Sequence, residues 1–188
     1  MLSSAERILL WTNNLAGFAV GLFGPLYAVF ADQVGGDILD ISWVYALYLA
    51  IVGVGVIVVG KVSDRISPER IMVAGYALSA IATFGFIFVD SMTALFVAQG
   101  VTGLARAMWE PTWFALYDKH SGDDSQDGYI WGLASGFWYI LGGIAMLIGG
   151  YIVAQFSFDM LFFVMGVMLT ITTLYTSQML RYRVKYKE

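Results

Sequence analysis

Six stretches of the chain, about 8–31, 42–60, 71–89, 93–117, 129–153 and 158–180, are long, mostly apolar runs. A helix needs roughly 20 such residues to cross the hydrocarbon core of a bilayer. The spacing therefore predicts an all-α integral membrane protein with six transmembrane helices, forming a single domain over residues 1–188. Composition agrees: 59% of the residues are hydrophobic and 13% charged, half the charged share of an ordinary soluble domain. A soluble fold of this length has no interior large enough for so much apolar sequence. The first run is too long for a signal peptide and lacks a clear small-residue cleavage site, so it is expected to be an uncleaved first span. The absence of cysteine excludes disulfides, thiolate chemistry and sulfur-ligated metal sites.

The basic residues set the orientation. Arg7 precedes span 1, Lys61, Arg65 and Arg70 lie between spans 2 and 3, and Lys119 lies between spans 4 and 5. Arg181, Arg183, Lys185 and Lys187 follow span 6. The other connections carry no lysine or arginine. Positive charge is retained on the cytoplasmic side, which predicts that both termini are cytoplasmic in a plasma (inner) membrane. The cytoplasmic connections then fall at about 60–70 and 118–128.

Shifted against itself by 86 residues, "NNLAGFAVGLFGPLYAVFAD" (13–32) falls on "QGVTGLARAMWEPTWFALYD" (99–118). Asn13 meets Gln99, Gly17 meets Gly103, Pro25 meets Pro111 and Asp32 meets Asp118. The match divides the chain into units of about 8–89 and 93–180. Each unit has an odd number of spans, so the second is inverted in the membrane. Inverted repeats of this kind build secondary transporters, and corresponding helices broken by Gly or Pro point to the binding site.

Only one basic residue lies inside a span. Arg106 shares an alternating spacing of four and three residues with Gln99, Gly103, Glu110, Trp113 and Tyr117, which places all six on one face of span 4. A central arginine costs about 2.5–3.5 kcal/mol on insertion scales, so this face is expected to border the bundle interior or a wet cavity. Arg106 and Glu110 are spaced to pair along the helix. Pro111 is expected to break the helix there. Asn13 and Asn14 on span 1, and Ser135, Trp138 and Tyr139 on span 5, enter to a similar depth from the same side. Together they predict a polar, aromatic-lined cavity for a small solute. Burial favours a neutral carboxylic acid and a neighbouring guanidinium favours the anion. A group held between the two suits proton coupling, and the alternative is an ion pair that only locks the bundle.

The connection "GKVSDRISPERIM" (60–72) resembles the signature loop of the major facilitator superfamily. Gly60, Asp64 and Arg65 match it. Ser67 replaces the second glycine, and the basic pair falls on Pro68 and Glu69, with Arg70 one place late. The resemblance implies a conformational latch in which the loop's charges pair with an acid at the inner end of span 4, here Asp118. "QGVTG" (99–103) resembles the family's span 4 motif with Phe96 in place of its arginine. "LGGIAMLIGG" (141–150) resembles the span 5 antiporter motif only in part, with Ala145 and Met146 in place of its Gly-Pro.

The resemblance covers one six-helix half of a twelve-helix family member. Two such halves are related by an axis along the membrane normal. Two copies of this chain can meet the same way as a two-fold homodimer. The family's halves meet through their second and fifth helices. Here Gly53 and Gly55 on span 2, and Gly136 and Gly143 on span 5, would let those helices approach a partner closely. The expected function is secondary transport of a small solute by a homodimer with alternating access, with proton coupling through Glu110. The rivals are a non-transporting subunit or sensor, and a half that needs a different six-helix partner.

Several weaker signals add little. "DDSQDG" (123–128) opens like a calcium loop, but Ala134 stands where its glutamate belongs. His120 alone forms no metal cluster. The tail "RYRVKYKE" (181–188) suits contact with anionic lipid. Trp43 and Trp131 fit interfacial anchors. With no phosphate-binding loop and no nucleophile–base pair, neither a nucleotide-driven pump nor an enzyme is expected, and neither a cofactor nor nucleic acid is implied.

Overall fold

Each apolar run becomes helix, and the caps fall where small polar residues precede the run. The computed structural model describes residues 3–63, 65–120 and 127–182, apart from the side chains at 120, 127–131, 133, 134 and 182. Helix α1 (Ser4–Gly21) begins with a capping box: the Ser3 hydroxyl accepts from the Glu6 N–H, and the Ser3 N–H donates to the Glu6 carboxylate. Helix α2 (Leu26–Gln33) follows after a turn. Asp37 accepts from the N–H groups of Leu39 and Asp40 and so opens α3 (Ile38–Ser63). Pro68, preset for a first helical turn, opens α4 (Pro68–Gly85), which ends in a short 3₁₀ turn. Then come α5 (Met92–His120), α6 (Asp127–Gln155) and α7 (Phe158–Thr176), the last capped by Ser157 and extended by a 3₁₀ segment.

The described residues contain no strand. Four helical segments, from α3, α4, α6 and α7, are apolar and long enough to span a membrane. The α1–α2 pair, bent by 46°, makes a fifth if it acts as one broken span. At 29 residues α5 is long enough to cross a bilayer but less apolar, because Gln99, Arg106 and Glu110 lie within it.

Two prolines predicted to break helices behave differently. Span 1 breaks between Gly21 and Leu26, where two glycines and Pro25 coincide. By contrast, α5 runs through Pro111 without interruption. The Thr112 hydroxyl donates to the Met108 and Trp109 carbonyls, at 2.8 and 3.0 Å, inside the turn that the proline disturbs.

The packing order puts α3 and α6 at the two ends of an arc. α3 packs on α5, α5 on α4, α4 on α7, α7 on α1, and α1 on α6. One core cluster fills the end where α1 begins and includes Leu9, Met72, Tyr76, Trp113, Leu116 and Met179. Phenylalanines fill the opposite end: Phe162 lies 5.1, 4.9 and 5.1 Å from the rings of Phe23, Phe30 and Phe86. The spanning windows of α3 and α6 are only 11% buried, against 44% for α4 and 39% for α7. The arc therefore has well-packed middle helices and exposed, apolar terminal ones.

Candidate functional site

Between α1, α5 and α6 lies a cavity of about 240 Å³, lined by Asn13, Arg106, Trp109, Glu110, Trp113, Phe114, Ser135, Trp138 and Tyr139. The arc brings these residues together because α1 and α6 meet at glycine. A Cβ at Gly17 would sit 2.5 Å from the Trp138 ring, so only glycine lets the indole lie against α1. On the other wall α5 receives α3 in the same manner. A Cβ at Gly103 would come within 3.1 Å of the Tyr48 carbonyl oxygen.

Arg106 and Glu110 form the polar centre. The Arg106 Nε donates to Glu110 Oε2 at 2.5 Å, one helical turn on, and both side chains are partly exposed to the cavity. The same guanidinium donates through Nη1 to the Tyr48 hydroxyl at 3.0 Å. Trp113 is buried, and its Nε1–H donates to the Leu9 carbonyl at 2.9 Å, tying α5 to α1 at the cavity's base. Trp138 is half-buried, 6.5 Å from Trp109 between ring centroids. Tyr139 stands at the rim, 77% exposed. The result is an aromatic box around a carboxylate whose charge is matched by one guanidinium. It offers flat apolar surfaces and a few hydrogen-bonding groups, as small-molecule sites do.

Not every residue expected at the cavity reaches it. Asn13 does, but Asn14, about 100° further round the helix, lines a separate apolar groove with Trp11, Phe18, Leu141, Met168 and Tyr175. Gln99 is buried and does not line the cavity. Gly103 lies against α3, and Tyr117 is buried, stacked 4.8 Å from Trp113. All share the predicted face of α5, but the cavity occupies only its middle, because neighbouring groups cover both ends. Sequence reasoning missed Tyr48, Trp109 and Phe114. Tyr48 is on another helix, and Trp109 and Phe114 look like ordinary apolar positions.

At the end where α1 begins, Arg65, Arg70 and Asp118 are exposed, and Gly60 has open space beside it. Asp64 lies outside the described residues, as do most of the acidic stretch 123–128, the side chains at 120 and 131, and the tail from 183. Glu69, where the signature loop has a basic residue, is fully buried and accepts from the Ser67 hydroxyl at 2.5 Å. Of the four glycines expected at a dimer seam, Gly53, Gly136 and Gly143 have nothing within 4 Å of a built Cβ. Gly55 differs: its Cβ would lie 2.5 Å from that of Ala107, so it serves packing within the chain.

The sequence is 24% identical over 169 residues to multidrug resistance protein MdtG of Yersinia enterocolitica, 27% over 174 to that of Dickeya zeae, and 25% over 177 to that of Erwinia billingiae. These alignments cover 88%, 90% and 92% of the chain. They cover 41%, 42% and 43% of the respective relatives, so the chain spans less than half the length of the curated proteins it matches. The profile of the Major Facilitator Superfamily matches residues 9–187. Taken with the all-helical fold and its apolar spans, this match identifies the chain as an integral membrane protein that belongs to the Major Facilitator Superfamily of transporters.

Proposed function

We propose that the chain is one six-helix half of a secondary transporter, built as a 3+3 inverted repeat, that pairs with a second copy and alternately exposes a shared cavity. The observation that carries this reading is the cavity, with its intramembrane ion pair, on the face of the arc formed by α1, α5 and α6. A second six-helix unit across that face would complete its walls. The repeat is supported by matched contacts. α6 meets α1 at Gly17, and α3 meets α5 at Gly103, the aligned position. Exchange of the two repeat units maps one contact onto the other.

In this reading both termini are cytoplasmic, and the chain lies in a plasma (inner) membrane. Glu110 carries the coupling proton, and Asn13, Trp113, Trp138 and Tyr139 contact the solute. The aromatic box suits an amphipathic aromatic solute, a class in keeping with relatives named as multidrug resistance proteins. Gly60, Asp64, Arg65, Arg70 and Asp118 form the latch. Gly53, Gly136 and Gly143 lie at the seam between copies.

In proteoliposomes with ethidium as the probe, a pH gradient should drive dye movement by the wild-type protein. Glu110→Gln should abolish the gradient-driven component. Movement unchanged by that substitution would remove Glu110 from coupling.

A further inference from the structure

We propose that the groove beside Asn14, on the lipid side of α1, is a second ligand site: it takes from the bilayer an uncharged, ring-bearing molecule with one hydroxyl group, which pairs with the Asn14 amide. The inference is independent of the reading of Glu110 as the proton carrier.

The groove has a volume of about 550 Å³ and lies over α1 between α6 and α7, both of which pack on that helix. Its floor is one face of α1, with Trp11, Asn14, Leu15 and Phe18 at helical spacing. Leu141 of α6 stands on one side, and Met168, Ile171 and Tyr175 of α7 stand on the other. The seam of α1 and α6 separates it from the ion-pair cavity: Asn13 and Trp138 line the cavity, whereas Asn14 and Leu141 line the groove. Trp11 is 67% and Ile171 51% exposed, so the groove is open on the outer surface of these apolar spans, where lipid lies.

Length, lining and one polar group select the occupant. The lining runs from Trp11 to Phe18 along α1 and from Met168 to Tyr175 along α7, seven positions in each case. Seven positions of α-helix are about 10 Å long. A phospholipid chain reaches through half of a ~30 Å hydrocarbon core and overruns that length, whereas two fused rings fit within it. The rings of Trp11, Phe18 and Tyr175 supply flat apolar contacts for such a molecule. Among the described residues the lining carries no charge, so an ionised ligand would find no counter-charge there. The Asn14 Oδ1 is buried and has no hydrogen-bond partner. A buried polar atom left unpaired is costly, and the hydrocarbon core holds no water to serve it. A lipid chain would leave it unpaired. A hydroxyl both donates and accepts, so it pairs with the amide whichever way the amide is turned.

Tritiated 2-naphthol, uncharged at neutral pH, is a suitable probe, with 2-methylnaphthalene as a competitor of similar shape that lacks the hydroxyl. Binding is read by scintillation proximity on the purified protein in nanodiscs, with empty nanodiscs as the blank. The wild type should bind 2-naphthol saturably and 2-methylnaphthalene roughly five- to tenfold more weakly, the equivalent of one buried hydrogen bond. Asn14→Leu should weaken 2-naphthol by the same factor and leave 2-methylnaphthalene unchanged, which also reports that the variant is folded. Ile171→Trp, which fills the groove, should abolish binding of both, and Glu110→Gln should leave both unchanged. Equal wild-type affinity for the two compounds would mean that the groove takes plain hydrocarbon, as from a lipid chain, and would overturn the proposal. So would a preference for 2-naphthol that survives Asn14→Leu, binding that survives Ile171→Trp or is lost in Glu110→Gln, or the absence of saturable binding. The transport reading stands in each case, because the groove and the cavity share no lining residue.

Discussion

Trp113 shows how a single side chain can belong to both the fold and the site. Its ring forms part of the cavity wall, and its Nε1–H satisfies the Leu9 carbonyl in the opposite helix. Trp113→Phe keeps an aromatic wall and loses that hydrogen bond, at a net cost of about 1 kcal/mol. Thermal unfolding in detergent should move down by a few degrees while solute binding persists. Loss of binding without loss of stability would mean that the indole N–H contacts solute rather than α1. At this scale the sequence was partly legible. Arg106 and Glu110 stood out because charge inside an apolar run demands a reason, and their spacing predicted the pair. Tyr48 gave no such signal. It is an amphipathic residue in an apolar span, 58 positions away from the arginine it meets. Asn14 misled because adjacency in sequence does not mean adjacency on a helix face.

Among the helices, glycine sets the approach distances. A Cβ at Gly149 of α6 would collide with the Leu22 backbone, whereas Gly150 has open space around it. Gly149→Val should therefore force α6 away from α1, lowering the yield of monodisperse protein in size-exclusion chromatography. Gly150→Val should be tolerated. Equal behaviour of the two would contradict the observed α1–α6 contact. The helix limits were largely readable, since roughly 20 apolar residues bounded by caps leave little choice. The consequence of proline was not. Pro25 and Pro111 occupy aligned positions, but only the first has Gly21 and Gly24 beside it, and only the second has a threonine hydroxyl serving the carbonyls of the preceding turn. The same residue breaks one helix and is absorbed by the other.

For the whole molecule, the informative feature is the contrast between its packed middle and its exposed terminal helices. Lipid can cover the outer surfaces of α3 and α6, but the polar cavity between α1, α5 and α6 requires water, solute or protein. The absence of native cysteine makes the proposed pairing testable. Gly53→Cys and Gly143→Cys, placed in separately tagged copies, should cross-link between chains in native membranes. No inter-chain product, together with monomeric behaviour in mild detergent, would favour a different six-helix partner. The all-helical, membrane-spanning character was readable because long apolar runs with few charges leave little choice. Which glycines face outward was not, since Gly53 and Gly55 differ only in the helix face they occupy.

The placement of the ion pair also bears on stoichiometry. If two identical chains face each other across the cavity, every titrating group in it occurs twice. One passage of solute would then meet a pair of Glu110 carboxylates, and the ratio of protons to solute would be even unless binding at one site suppressed the other. The dependence of transport on proton concentration would rise with a slope approaching two. A covalently joined tandem carrying Glu110→Gln in one half only would bring that slope to one.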